Sequence, residues 1–179
     1  MNAVAAILLA SLVAQTIPPT VEGGSPTGTS EYELKAAFLY RFANFIQWPE
    51  LPAEKRKTPF IIGVAGPDPF GRALDDALKG KTVRGREVIV KRWPSVKDVD
   101  DCDILFIGAE TSTSSLMLSV LKGRPILTVS DTPTFLDRGG MINLVTEGTR
   151  LRFDVNSHAA HDSGLAIGSH LLSIARNTR

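Results

Sequence analysis

Apolar residues recur at spacings of three and four from Leu34 through Phe38, Phe42 and Phe45 to Ile46. That spacing predicts an amphipathic helix. Ser30-Glu-Tyr-Glu33 matches a capping box, with Ser30 as N-cap and Glu33 at N3. Pro49 pushes Trp48 out of helical geometry, so the helix ends before that pair. Lys35 and Arg41 fall off the stripe, on what reads as the polar side.

Beyond Pro49 the period changes. Phe60–Ala65 and Ile104–Ile107 are short, wholly apolar runs, which suit strands buried on both faces. Val88–Val90 and Ile126–Val129 read as further strands. Helical stretches at Arg72–Leu78 and Ser114–Leu121 alternate with them. Met141–Val145 and Leu151–Val155 are joined by a short Gly-containing link, Thr146–Arg150, which predicts a hairpin. Helices at Ser157–Asp162 and near Ser169–Arg176 close the chain, broken apart by Gly164 and Gly168. Strands alternating with helices imply parallel pairing, and a terminal hairpin implies an antiparallel edge. The expected fold is an α/β three-layer sandwich. Its sheet is mixed and mostly parallel, of five or six strands, with a C-terminal antiparallel hairpin.

The N-terminal pattern differs again. Ala3–Ala14 is an uncharged run of apolar and small residues. It is too short to span a bilayer, which takes ~20 residues, and fits the h-region of a signal peptide. Ala14 suits the residue before cleavage. No Lys or Arg precedes Lys35, so the n-region has only the terminal amine or the start lies upstream. Residues 15–30 are rich in Pro, Gly, Ser and Thr without periodicity and read as a flexible tether. Residues 31–179 remain for a single domain, near the commonest domain size of about 150 residues.

Composition adds exclusions. Of 179 residues, 43% are hydrophobic and 22% charged, so the chain has apolar area to bury and is not disordered throughout. A net charge of +1 gives no general pull toward nucleic acid, and none is expected as a partner. One cysteine, Cys102, allows no disulfide within the chain. At the entry to an apolar strand it reads as a small buried hydrophobe.

Candidate chemistry is sparse. Gly80-Lys81-Thr82 resembles the end of a P-loop, but Asp75 stands where the earlier glycine is required. The segment also follows a helix rather than a strand, so it reads as a turn. Pro67 and Pro69 occupy the loop after the first strand and cannot donate N–H groups to a pyrophosphate. His158 and His161 share a helix face beside Asp162, a set able to ligate zinc or copper, although a solvated face explains them better. No G-x-S-x-G elbow offers a serine nucleophile. No cofactor and no metal is expected. Lys79, Lys81, Arg84, Arg86, Lys91 and Arg92 form a basic cluster with Asp75, Asp76 and Glu87 interspersed, mainly a solvated mixed-charge face. Arg84 and Arg86 are the members suited to pairing with partner carboxylates or an anionic ligand.

Seven stretches, in order, resemble one known family. They are Lys35-AAFLYRFANFIQW-Pro49, Gly63-VAGPDPF-Gly71, Cys102-DILFI-Gly108, Gly123-RPILTVS-Asp131, Gly139-GMINL-Val145, Leu151-RFDV-Asn156 and Leu171-LSIA-Arg176. Across residues 31–176 the chain resembles the YfiR-like family of periplasmic proteins. The resemblance implies an exported, non-enzymatic regulator. Such a protein represses an inner-membrane diguanylate cyclase, or a similar sensor, by contact with its periplasmic region. Cyclic-di-GMP signalling and biofilm formation are thereby controlled. An outer-membrane lipoprotein that sequesters the repressor is implied as a second partner. Some members hold several cysteines; Cys102 falls where the family often has one, but its partner is missing, so an internal redox bridge is not available here.

The residues support a binding role on their own account. Tyr32, Tyr40 and Trp48 fall outside the Phe38-Phe42-Phe45 face, and aromatics with a polar tip suit interfaces. Tyr40 and Trp48, with Arg84 and Arg86, are therefore the expected surface toward a partner or a second copy of the chain; burial of the helix on two sides within the monomer is the equal alternative. A small-ligand sensor is the competing reading. Its rim at the C-terminal strand ends comprises Gly66, Asp68, Gly108, Ser130 and Asp131. A metal-assisted hydrolase using His158 and His161 is the least supported reading.

Overall fold

The computed structural model describes residues 28–50, 57–108 and 118–179. Helix α1 spans Gly28–Phe45. It buries Lys35, Ala36, Leu39, Phe42 and Ala43, and Ile46 follows on the same side. Leu34 is exposed, and Phe38 and Phe45 are half-buried. The buried stripe is thus rotated from the one expected from the aromatics, and Lys35 lies inside it. Ala36 and Ala43 carry no bulk, so the helix can approach the sheet closely there. Phe38 instead leans along the flank, edge-on to Phe42 and Phe153 at 5.9 and 6.2 Å. The helix begins at Gly28, so Ser30 sits within it rather than capping it, and Gly28–Ser30 belong to the helix rather than to a tether.

Strand β1 (Ile46–Gln47) carries the chain out of α1 and pairs antiparallel with β9 (Ala166–Ile167). Strand β2 (Phe60–Ala65) opens the main sheet, followed by α2 (Arg72–Leu78), β3 (Thr82–Val83) and β4 (Arg86–Trp93). Next come β5 (Ile104–Ile107), β6 (Leu127–Ser130), β7 (Ile142–Glu147) and β8 (Arg150–Val155). Helix α3 (Ser157–Asp162), helix α4 (Ser169–Ile174) and β10 (Asn177–Thr178) complete the described chain.

The main sheet has eight strands in the order β10-β8-β7-β6-β5-β2-β4-β3. From β7 to β4 the neighbours are parallel, while β8 runs antiparallel to β7 and β3 antiparallel to β4. The sheet is larger than the five or six strands expected because β3 and β10 are two-residue edges, too short to show alternation. The predicted hairpin is β7–β8, with Glu147 opposite Arg150.

Both faces of the parallel strands are buried. Ile62, Val64, Ile104 and Phe106 meet Leu39, Phe42, Leu74 and Leu171 of the helical layer. Ile61, Ala65, Leu105 and Ile107 face Val96, Leu121, Phe135 and Leu136 on the other side. This explains why the strands read as continuous apolar runs. The layers make a three-layer α/β architecture. Gly63 lies on the second face, where a Cβ would come within 2.3 Å of the Trp93 ring.

Several expectations shift at their ends; β7 runs from Ile142 to Glu147 rather than from Met141 to Val145, and β8 starts at Arg150. Strand β4 is longer than Val88–Val90, β6 ends at Ser130, and α4 stops at Ile174. The expected leader 1–14, the tether up to residue 27 and residues 114–117 of the helix expected at Ser114–Leu121 lie outside the described residues. Among the described residues no helix is long and apolar enough to cross a membrane.

Candidate interaction site

Strand β6 ends at Ser130, and Asp131 follows it next to the first turns of α1. The Lys35 ammonium donates to Asp131 Oδ2 at 2.6 Å and pairs with Glu31 Oε1 at 2.7 Å. Tyr32 donates its hydroxyl to the same Asp131 oxygen at 3.0 Å, and its ring faces the ammonium at 4.3 Å. Thr146, at the end of β7, donates to Glu31 Oε1. Lys35 is only 3% exposed. Burial pushes its pKa down, but the hydrogen bonds to Asp131 and Glu31 outweigh burial and the pKa is raised. The same Lys35 contact lowers the Glu31 carboxyl. Burial, and then the Asp131 charge, raise the Tyr32 hydroxyl.

This network forms one wall of a cleft of about 540 Å³. Asn143 and Asp154, both 8% exposed, line it from β7 and β8, and Arg176 and Arg179 from the chain end. Arg176 grips both Asp154 oxygens and reaches Glu147 Oε1 at 2.7 Å, which lowers the Asp154 carboxyl. With its amide nitrogen turned toward them, Asn143 donates to the Thr132 and Ser130 carbonyls at 2.9 and 3.2 Å. Thr134 at the mouth has φ of 67°, an uncommon conformation for a β-branched residue. The cleft size lies within the range of small-molecule sites.

The expected ligand rim divides. Asp131 lines this cleft, whereas Ser130 is buried beside it, its Oγ donating to the Ile107 carbonyl at 2.8 Å. Gly66, Asp68 and Gly108 do not. The Gly108 N–H bonds Ala65 O at 3.2 Å, and a Cβ there would lie 2.8 Å from the Pro67 carbonyl. The Gly108 backbone thus packs directly against the Pro67 carbonyl beyond the end of β2. Asp68 is occupied by the Phe70 N–H at 2.8 Å and Arg92 Nε at 2.7 Å.

The four residues expected to meet a partner also divide. Tyr40 donates to the Thr82 carbonyl at 3.1 Å, and the Lys81 ammonium stands 5.8 Å from its ring. Trp48 packs edge-on to Phe60 at 5.4 Å, while Arg84 lies over its indole and donates to the Ile46 carbonyl at 2.8 Å. Those three gather where α1 meets β3. Arg86 is turned inward and makes a bidentate pair with Asp103 at 2.8 and 2.9 Å. It also bonds the Thr58 and Pro59 carbonyls. Its donors are spent inside the molecule, so it ties β4 to β5 and presents no fork to a partner.

His158 and His161 lie exposed on α3. Among the described residues no group of three His, Cys, Asp or Glu side chains is placed to hold a metal ion. The Cys102 thiol donates to the Ile104 carbonyl at 2.8 Å, and burial pushes its pKa far up, away from the reactive thiolate.

Lys35 is the residue that sequence reasoning placed on the wrong side. The signal was the spacing of Ala36, Leu39, Ala43 and Ile46, which shares its phase, rather than that of the aromatics.

A solved structure from Vibrio cholerae O1 biovar El Tor strain N16961, described as a conserved domain protein, is similar with a TM-score of 0.45 and 15% identity. The match covers 66% of this chain and 54% of that one, so the chain spans about half that protein's length. A family model described as YfiR/HmsC-like matches residues 32–176, from the first turns of α1 to the Arg176 clamp. The chain therefore belongs to the YfiR/HmsC-like family of periplasmic regulators of diguanylate cyclase signalling, a family regulatory rather than catalytic in character.

Proposed function

We propose that the protein is an exported repressor that restrains an inner-membrane diguanylate cyclase, or a similar sensor, through contact with its periplasmic region. The observation that carries this reading is the family match, which spans the α/β domain from residue 32 to residue 176. The mechanism is linkage. A repressor biases a receptor by binding its inactive state better than its active state. A differential of about 1–3 kcal/mol gives a useful switch. The domain needs a rigid body and a recognition surface for this. The doubly covered sheet supplies the first, and the side chains around Tyr40, Trp48 and Arg84 are the surface we favour. An outer-membrane lipoprotein that sequesters the repressor, and a second copy of the chain, are further partners in this reading.

Deletion of the gene in its native bacterium should raise cytoplasmic cyclic-di-GMP. Expression of the full chain with its leader should lower it again, while a form lacking residues 1–14 should not. Unchanged cyclic-di-GMP on deletion would overturn the proposal.

The cleft beside Lys35 favours a second reading, a small-ligand sensor of the same fold, because buried polar side chains line a volume of about 540 Å³. A thermal-shift screen tests it. A ligand present at about 100 times its Kd adds about 2.7 kcal/mol of stability. Replacement of Asp131 by Asn should abolish that gain.

A further inference from the structure

Outside the cleft, three cations gather near the β3 edge of the main sheet, with Glu87 opposite Thr82 on β4. Lys79, Lys81 and Arg84 are all exposed there. Ion pairs among the described residues include those of Lys35, Arg86, Lys91, Arg92, Arg176 and Arg179. Lys79, Lys81 and Arg84 are paired with no carboxylate among the described residues. Two of the three cations stand against aromatic rings instead, Lys81 over Tyr40 and Arg84 over Trp48. The turn itself is costly to form as it stands. Arg84 and Gly85 have φ of 51° and 77° between Val83 and Arg86, which pair across the strands. Positive φ at both central residues is the type I′ pattern, which favours Asn-Gly over Arg-Gly. The fold holds an arginine in that position, against the Trp48 face and the Ile46 carbonyl. The Trp48 indole N–H beneath it is buried and has no hydrogen-bond acceptor among the described residues.

We infer that this edge is the docking surface for an acidic, extended segment of a partner protein. The inference rests on the repressor reading and names its contact surface. Charge complementarity selects the occupant: three cations without carboxylates attract Glu- and Asp-rich chain and repel basic chain. The Thr82 carbonyl, the natural acceptor for an added strand, is already taken by Tyr40. Recognition therefore runs through side chains, with the cations meeting carboxylates and the rings of Tyr40 and Trp48 covering the apolar stems of the incoming segment.

The test uses the exported full chain and two readouts. The first is fluorescence anisotropy of a labelled twelve-residue peptide alternating Glu with Val, beside its Lys-Val counterpart. The second is capture of an epitope-tagged diguanylate cyclase from membranes of the native bacterium. The variants are Lys79→Glu with Lys81→Glu, and Lys97→Glu as a charge control away from the edge. The wild type and Lys97→Glu should bind the Glu-Val peptide and capture the cyclase. The double variant should bind the peptide about tenfold more weakly and lose the cyclase. Raising the salt should weaken the wild-type binding. Failure of the wild type to prefer the acidic peptide would overturn the surface. So would retention of both ligands by the double variant, and capture of the cyclase by wild type and double variant alike would do so while leaving the repressor reading intact. Peptide binding that depends on Lys79 and Lys81, with the cyclase captured by neither form, would uphold the acidic surface and remove the cyclase as its partner.

Discussion

The ammonium of Lys35 lies 2.6 Å from the carboxylate of Asp131, a residue 96 positions away in sequence. The pair fastens the first helix of the domain to the C-terminal end of β6. With side-chain exposures of 4% and 14%, both charges are largely withdrawn from water. Such a pair tolerates loss of one partner badly, because the survivor is left as an uncompensated buried charge. Lys35→Met should therefore lower the unfolding free energy by about 3 kcal/mol in urea titrations. Adding Asp131→Asn should recover part of that loss. A single substitution that unfolds at the wild-type midpoint would show that the pair is not important.

The same cluster sets a pH dependence. Glu31 and Asp154 have folded-state pKa values below their ordinary values, through Lys35 and Arg176 respectively. Their contribution is present above the unfolded carboxyl pKa of about 4 and is lost as pH falls through the folded values. Tyr32 and Lys35 have raised values. Their contribution is complete below the unfolded values near 10 and fades as pH rises through the folded ones. Thermal unfolding should thus be nearly independent of pH between about 5 and 9 and weaken on both sides. In Lys35→Met the alkaline limb should become shallower.

Arg86 tests the inward-facing fork. It spends its guanidinium on Asp103 and on the Thr58 and Pro59 carbonyls, and Asp103 also accepts the Ile61 N–H at 2.8 Å. Lysine offers a point charge in place of a planar fork. Arg86→Lys should cost about 2 kcal/mol, and Arg86→Ala about 3 kcal/mol or more. Partner capture by the folded fraction should remain unchanged, because the side chain faces inward. Loss of capture without loss of stability would restore Arg86 to the partner surface.

Gly63 should accept no side chain. Its added Cβ would meet Trp93 at 2.3 Å and Cys102 Sγ at 3.1 Å. Gly63→Ala should displace the Trp93 ring and destabilise by about 1–3 kcal/mol. The displacement is readable as a change in the emission of a Trp48→Phe background, where Trp93 is the remaining indole.

Thr134 makes the opposite case. Its φ of 67° strains a β-branched residue that is exposed at the cleft mouth. Thr134→Gly should relieve about 1 kcal/mol and raise the melting temperature by a few degrees. A lowered melting temperature would mean that the Thr134 side chain repays its strain through contacts.

The elements were largely legible before the fold was seen. Phe60–Ala65, Arg72–Leu78, Ile104–Ile107 and Ser157–Asp162 stand in the structure at the boundaries that their patterns imply. Each is short, and its apolar content or flanking turn residues settle it locally. The parallel core follows from those continuous apolar runs, since strands buried on both faces have no polar face to show. Membership in the family was legible too, because its motifs are strings of residues.

The interior charges were not legible in the same way. Lys35 has no local mark of burial: its stabilising partner Asp131 comes from another strand, and only the packed sheet brings the two within hydrogen-bond distance. Arg86 and Arg84 stand two residues apart with the same kind of side chain, yet one turns to Asp103 and the other to Trp48. Likewise, Gly66, Asp68 and Gly108 lie at strand ends as the pattern implies, but Asp68 is taken by Arg92 and the Phe70 N–H, and Gly108 packs against the Pro67 carbonyl. The sequence alone determined which longer segments become helix and strand, since backbone propensity and apolar periodicity act over a few residues, whereas the two-residue strands β1, β3, β9 and β10 exist only through their partners. Tertiary structure alone decided which charges are buried, paired or left exposed, because desolvation and Coulomb attraction depend on distances across the sheet that no local spacing contains.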